Sequence, residues 1–203
     1  MIWSGSSSMK ITEIWIWDWK TGELKLNLYG SYRGGGTVRS FTILSEQRIL
    51  IPMVTGGVTD PGADLLAIFD CSTGDPTRRT YQQAYETSAR AVFHLPQIAR
   101  TATYARIDLY GNPYSSHGPP EEPEVPFVYD RNSRLLVFEI AVLVSGRCAW
   151  NHYMMFISAE TLECHSKHND VPVTKTIGWA DWAIETRIIT GHRMIYSAHI
   201  SHM

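Results

Sequence analysis

The sequence predicts an all-β chain built as a partial β-propeller-like array of antiparallel sheets, with a β-sandwich as the alternative. Three observations predict it. Nearly every periodic segment alternates apolar and polar residues, or is a short run rich in Val, Ile, Tyr, Phe and Trp, residues that suit a pleated surface. Turn formers punctuate these runs at spacings of about 8–12 residues. A unit of buried strand plus polar turn also recurs along the chain, at spacings that match propeller blades.

Taken in order, the Ser-rich opening MIWSGSSSMK is expected to be a disordered segment over residues 1–10, and residues 11–203 a single β-rich domain. Strands are predicted near Ile11–Asp18 and Leu24–Tyr29, joined by the turn Lys20-Thr21-Gly22, then near Ser40–Leu44 and Arg48–Val54. Asp64–Asp70, Arg79–Tyr85, Ala91–His94 and Thr103–Tyr110 follow, and after them Pro126–Asp130, Leu135–Val144, His152–Ser158 and Thr161–His165. Gly34-Gly35-Gly36, Gly56-Gly57, Asp60-Pro61-Gly62, Ser72-Thr73-Gly74, Asp130-Arg131-Asn132-Ser133 and Ser145-Gly146 break the runs. The segment YSSHGPPEEPEVP over 114–126 cannot form a ladder and is expected to be a surface loop.

The repeat is read as follows. IWDWKTG at 16–22 returns as IFDCSTG at 68–74, and LLAIFDCSTG resembles HYMMFISAETL, with Ser158 in the place of Asp. FTILSEQRILI at 41–51 returns more loosely as FVYDRNSRLLV at 127–137, matching Arg48 with Arg134. Asp18 and Asp70 are expected to accept hydrogen bonds from the turn that follows, leaving Gly22 and Gly74 to take positive φ. The run IWIW can be buried on both faces only between neighbouring sheets, so the stripe Trp15, Trp17 and Trp19 is expected in the core between blades, with partner contact as the other use. Roughly four blades of strands fit this length.

Composition excludes several function classes. Apolar residues make up 44% and charged residues 19% of the 203 positions, and the net charge is −2, so no field draws the chain to nucleic acid or an anionic membrane. Three cysteines form no disulfide framework and suit a reducing compartment, the cytoplasm or nucleus. The longest apolar run, LLVFEIAVLV at 135–144, is too short to span a bilayer and carries Glu139.

The order of these features resembles the C-terminal region of the F-box proteins of mushroom-forming fungi. The resemblance rests on the opening IWDWKTGE, the FxxLxxxRLLV-like segment, Phe93-His94-Leu95-Pro96, a DRLLVL-like strand, and the late stretch Trp179-Ala180-Asp181-Trp182-Ala183-Ile184-Glu185-Thr186-Arg187 followed by Gly191-His192-Arg193. It covers most of residues 11–196, and Ala183-Ile184 stands where the family usually has Gly-Pro. The resemblance implies a propeller-like fold and a non-enzymatic protein–protein interaction module of the kind that recognises substrates for SCF ubiquitin ligases. No F-box is found ahead of the propeller-like part in these residues, so the adaptor link does not transfer. A protein partner is expected, with no cofactor, and a partial propeller leaves sheet edges open to self-association.

Candidate site residues follow from residue chemistry. Trp179, Trp182 and Arg187 read as a structural clasp or a partner contact, with Arg187 reaching Glu185 or Asp181 or stacking on an indole. Cys164-His165-Ser166-Lys167-His168, with Asp170, His199 and His202, is the sharpest metal candidate. Cys164 and His165 point to opposite faces of a strand and no second paired cluster exists, so no metal site is assigned. No Gly-x-Ser-x-Gly elbow or P-loop occurs, and no catalytic residue is assigned. A small-molecule-binding or hydrolytic domain, the alternative, would need His94, His152, Asp181 and Arg187 to converge in a pocket. A truncated product without independent function is the remaining reading.

Overall fold

The computed structural model describes residues 2–7, 10–30, 38–54, 64–72, 74–99, 101–111, 134–144, 149–166 and 174–191. The described residues are mostly β, in three sheets of which none closes on itself. The first sheet has the order β1-β2-β3-β7, from β1 (Ile2–Ser7), β2 (Lys10–Trp17), β3 (Leu24–Tyr29) and β7 (Asp75–Thr80). The second joins β4 (Thr42–Ser45), β5 (Arg48–Met53), β6 (Leu65–Asp70), β8 (Ala89–His94) and β12 (Lys175–Ile177), in the order β12-β8-β6-β5-β4. The third has the order β13-β11-β10-β9, from β9 (Ala102–Gly111), β10 (Leu135–Val144), β11 (Ala149–Ser158) and β13 (Arg187–Gly191). Among the described residues the count is three sheets, where four blades are expected. The expected strand Pro126–Asp130 and the loop 114–126 lie outside the described residues.

The sheets stack because the second is apolar on both faces. Leu65–Phe69 are all buried, and period-two geometry sends alternate residues to opposite sides. Ile49, Ile51, Met53, Leu65, Ala67 and Phe69 pack with Ile14, Leu26 and Leu28 of the first sheet. Leu50, Leu66, Ile68 and Phe93 face the other way, against Ile107, Leu136, Phe138, Ile140, Met155 and Ile157 of the third. The strand run that needs cover on two sides is therefore LLAIF, not IWIW. The first sheet is an end layer with one buried face, and its core side is Ile14 and Ile16.

The repeat has a backbone counterpart. Lys20 N–H donates to Asp18 Oδ1 at 2.8 Å and Ser72 N–H to Asp70 Oδ1 at 2.8 Å. Gly22 and Gly74 follow with φ of +71° and +52°. Ser158 repeats the device, accepting Glu160 N–H at 3.2 Å. The matched arginines both tie the second and third layers. Arg134, buried, donates to Ile43 O at 2.5 Å and Thr42 Oγ1 at 2.7 Å, and Arg48 donates to Ser166 Oγ at 3.2 Å.

Further expectations are corrected, beginning with strand direction: the sheets are not wholly antiparallel, since β3 pairs with β7 and β8 with β12 in parallel. The first ten residues are not all disordered: β1 pairs antiparallel with β2 from Ile2↔Ile16 to Ser7↔Lys10. In place of the strand Arg79–Tyr85, β7 ends at Thr80 and helix α1 (Tyr81–Thr87) begins. A capping box starts that helix: Gln83 N–H donates to Thr80 Oγ1 and Thr80 N–H to Gln83 Oε1, both at 3.1 Å. In place of the strand Thr161–His165 stands helix α2 (Ala159–Ser166). Its buried Ala159, Leu162 and Ser166 recur at helical spacing. Among the described residues, no helix is long and apolar enough to cross a membrane.

Candidate functional site

The outer face of the third sheet carries the densest polar network. Register sets its rows: Arg106, Ala141 and His152 are cross-strand neighbours, as are Asp108, Glu139, Met154 and Ile189, and Tyr110, Val137, Phe156 and Arg187. Asp108 and Glu139 stand directly opposite, a pairing of like charges that is unfavourable alone. Arg106 bridges them, with Nε 2.8 Å from Asp108 and Nη2 2.5 Å from Glu139. Arg39, arriving just before β4, adds a second cation to Asp108 at 2.9 Å. Glu139 also accepts the Tyr110 hydroxyl at 3.2 Å and lies 3.4 Å from His152 Nδ1.

Two carboxylates thus share two guanidinium groups, and the network is balanced. Each carboxylate already serves two or more partners, and among the described residues no Ser, Thr or Cys is one of them. A cleft of about 380 Å³ adjoins it, bounded by Arg39, Ser40, Asp108 and Glu139. Ser40 Oγ takes the Leu109 N–H at 2.7 Å, capping part of the sheet edge at β9. Around the charges stand exposed large apolar side chains: Tyr110, Leu135, Trp150 and Ile189. Charge balance with aromatic and aliphatic flanks suits a recognition surface better than proton transfer.

The residues singled out in the sequence fall in different places. Trp15 and Trp17 are half-buried on the outer side of the first sheet and meet edge to face at 5.4 Å. Trp19 lies beyond the end of β2 and is 75% exposed, so the three indoles do not form a core stripe. Trp182, in helix α3 (Trp179–Trp182), is fully buried against Phe93 at 5.7 Å and Trp179 at 4.7 Å. Its Nε1–H donates to His94 O at 3.2 Å, joining α3 to the end of β8.

Arg187 opens β13 and is exposed. Among the described residues Arg187 forms no ion pair with either expected anion: Asp181 accepts Gly178 N–H at 3.1 Å, and Glu185 accepts the Thr161 hydroxyl. Of His94, His152, Asp181 and Arg187, only His152 joins the charged network. Cys164 is exposed on α2, while His165 packs edge to face on Phe93 at 6.1 Å. His168, Asp170, His199 and His202 lie outside the described residues, among which no group of three or more His, Cys, Asp or Glu is placed to hold a metal ion.

Sequence reasoning did not single out Arg39, Arg106 and Asp108. The signal was Arg106-x-Asp108-x-Tyr110 alternating with Ile107 and Leu109, which puts three polar groups on one face of a strand. Comparison with protein-family models and with curated proteins found no significant match.

Proposed function

We propose that this chain is a non-enzymatic protein–protein interaction module whose contact surface is the outer face of the third sheet. One observation carries the reading: exposed Tyr110, Leu135, Trp150 and Ile189 surround a charge-balanced Arg–carboxylate network on a single sheet face. Aromatic residues and Arg are the types enriched at interfaces, and clustered exposed apolar side chains mark interaction sites. The resemblance to fungal F-box proteins supports a finer version, in which the three sheets are part of a propeller and the surface recognises a protein substrate. A place in an SCF ligase would need an F-box that these 203 residues do not contain.

The experiment is affinity isolation of the tagged chain from its source cells, beside a Trp150→Asp/Ile189→Asp variant with unchanged circular dichroism. One near-stoichiometric protein bound by the parent and lost by the variant is the expected result. Equal recovery by both chains, or recovery of chaperones and proteasome components alone, would sink the proposal.

A further inference from the structure

The inner face of the third sheet holds a cavity of about 370 Å³, bordered on its far side by Pro96, Ile98, Ala99, Thr101 and Ala102, which follow β8. We propose that this cavity binds a small, uncharged, largely apolar molecule bearing one hydrogen-bonding group. Its size falls in the range of ligand pockets, roughly 300–1,000 Å³. At a liquid volume of roughly 30 Å³ per molecule, it has room for about a dozen waters.

The lining selects the ligand. Ile140, Val142 and Tyr104 form a buried floor, Ile98 and Ala102 the facing wall, and half-exposed Ile188 the lip. Among the described residues, no Asp, Glu, Lys, Arg or His borders the cavity. An ionised ligand would lose its hydration there without gaining a countercharge, whereas a neutral one loses little. The Tyr104 hydroxyl is already committed, donating to Pro96 O at 2.7 Å. Hydrogen bonding is left to Thr101, Asn151 and Tyr153, of which Thr101 and Asn151 are exposed, so the ligand's polar end faces outward.

The site is also preformed. The Tyr104–Pro96 bond and the turn bond from Ala102 N–H to Ala99 O, at 2.8 Å, hold the wall against the sheet. Binding therefore requires little ordering of the chain. Water confined by such walls lacks partners, and its release favours an apolar occupant. Because the cavity lies on the face opposite the proposed contact surface, the inference does not rest on that proposal.

The test uses the full chain and the neutral fluorophore N-phenyl-1-naphthylamine. Saturable one-to-one binding is expected, competed by 1-octanol and at least about tenfold less well by octanoate at pH 7.5. Ala99→Trp, which fills the rim, and Ile188→Asp, which charges the lip, should each weaken the probe about tenfold or more, while Glu46→Ala on a distant turn leaves it unchanged. Octanol should also shift the methyl resonances of Ile140 and Ile188. Absence of saturable binding by the folded chain would overturn the proposal. So would unchanged affinity in folded Ala99→Trp and Ile188→Asp, or octanoate competing as well as octanol.

Discussion

Trp182 allows a prediction whose size can be worked from contacts. Its indole is fully buried, packs edge to face on Phe93 and Trp179, and gives its one N–H to His94 O at 3.2 Å. Trp182→Phe keeps most of the ring burial and deletes the donor, which should destabilise the fold by about 1–2 kcal/mol, since His94 O is left without that bond. Trp182→Ala also removes the packing and opens a cavity under α3, for a total of about 4–6 kcal/mol. At roughly 2–4 °C per kcal/mol for a chain of this size, the alanine variant should melt at least about 8 °C lower. The assay is urea unfolding followed by far-ultraviolet circular dichroism, with the change read from the midpoint at constant slope. Equal, small effects of the two substitutions, below about 1 kcal/mol, would refute the claim that this indole joins α3 to the core.

The remaining predictions concern turns, protons and thiols. Gly22→Ala should destabilise by about 1 kcal/mol, because its φ of +71° is left-handed although space for a Cβ is open. Gly74→Ala should do somewhat more, since the new Cβ would lie 2.5 Å from Glu23 Oε1 and disturb the Glu23–Lys25 pair, an effect read from the same urea curves. The Lys20 N–H holds the Asp18 carboxyl below its ordinary 3.8. For Asp75, burial works in the opposite direction, but bonds from Thr77 and Arg79 keep it low as well. A depressed folded pKa stabilises above the ordinary value and is lost as pH falls through the folded one, so melting temperature should drop below about pH 4. That slope should flatten in Asp18→Asn/Asp75→Asn, and an unchanged slope would contradict the assignment. Burial pushes the Cys71 thiol up to about 12, whereas Cys164 is exposed. In a Cys148→Ser background, Ellman's reagent at pH 8 should titrate Cys164 quickly and Cys71 only on unfolding.

Local chemistry was legible in the sequence, and layer assignment was not. Leu24–Tyr29 and Leu135–Val144 were read to the residue, because each is an uninterrupted run between breakers. Asp18 with Gly22, and Asp70 with Gly74, were readable because side chain and positive φ act within one turn. Thr80-x-x-Gln83 was an equally local capping signal, and it outweighed the strand propensity read across Arg79–Tyr85. The Trp stripe misled for a different reason. Periodicity shows that Trp15 and Trp17 share a face, but which face meets another sheet depends on whether the strand sits in an end layer. The Asp108–Glu139 juxtaposition depends on register between strands about thirty residues apart, which no window of sequence contains.

The stack limits where the proposed contact surface can lie, and one strand permits a separation of the two proposed surfaces. Both faces of the second sheet are consumed by packing, so only the end layers present outer faces. On the first sheet that face is occupied by its own contacts: Trp15 on Trp17, and Arg78 over Tyr29 at 4.5 Å while paired with Glu13 at 3.3 Å. On the third, β13 pairs Ile188 with Met155 and Ile189 with Met154, so adjacent isoleucines serve opposite faces. Ile188 lines the cavity and Ile189 stands beside the charged network. Both are exposed on an edge strand, so a charge at either should leave the fold intact. Ile188→Asp should therefore weaken binding of the neutral fluorophore about tenfold or more and leave partner capture unchanged, and Ile189→Asp should leave the fluorophore bound and weaken partner capture. If either substitution removed both activities, β13 would be acting through the register of the whole sheet, and the two surfaces would not be independent.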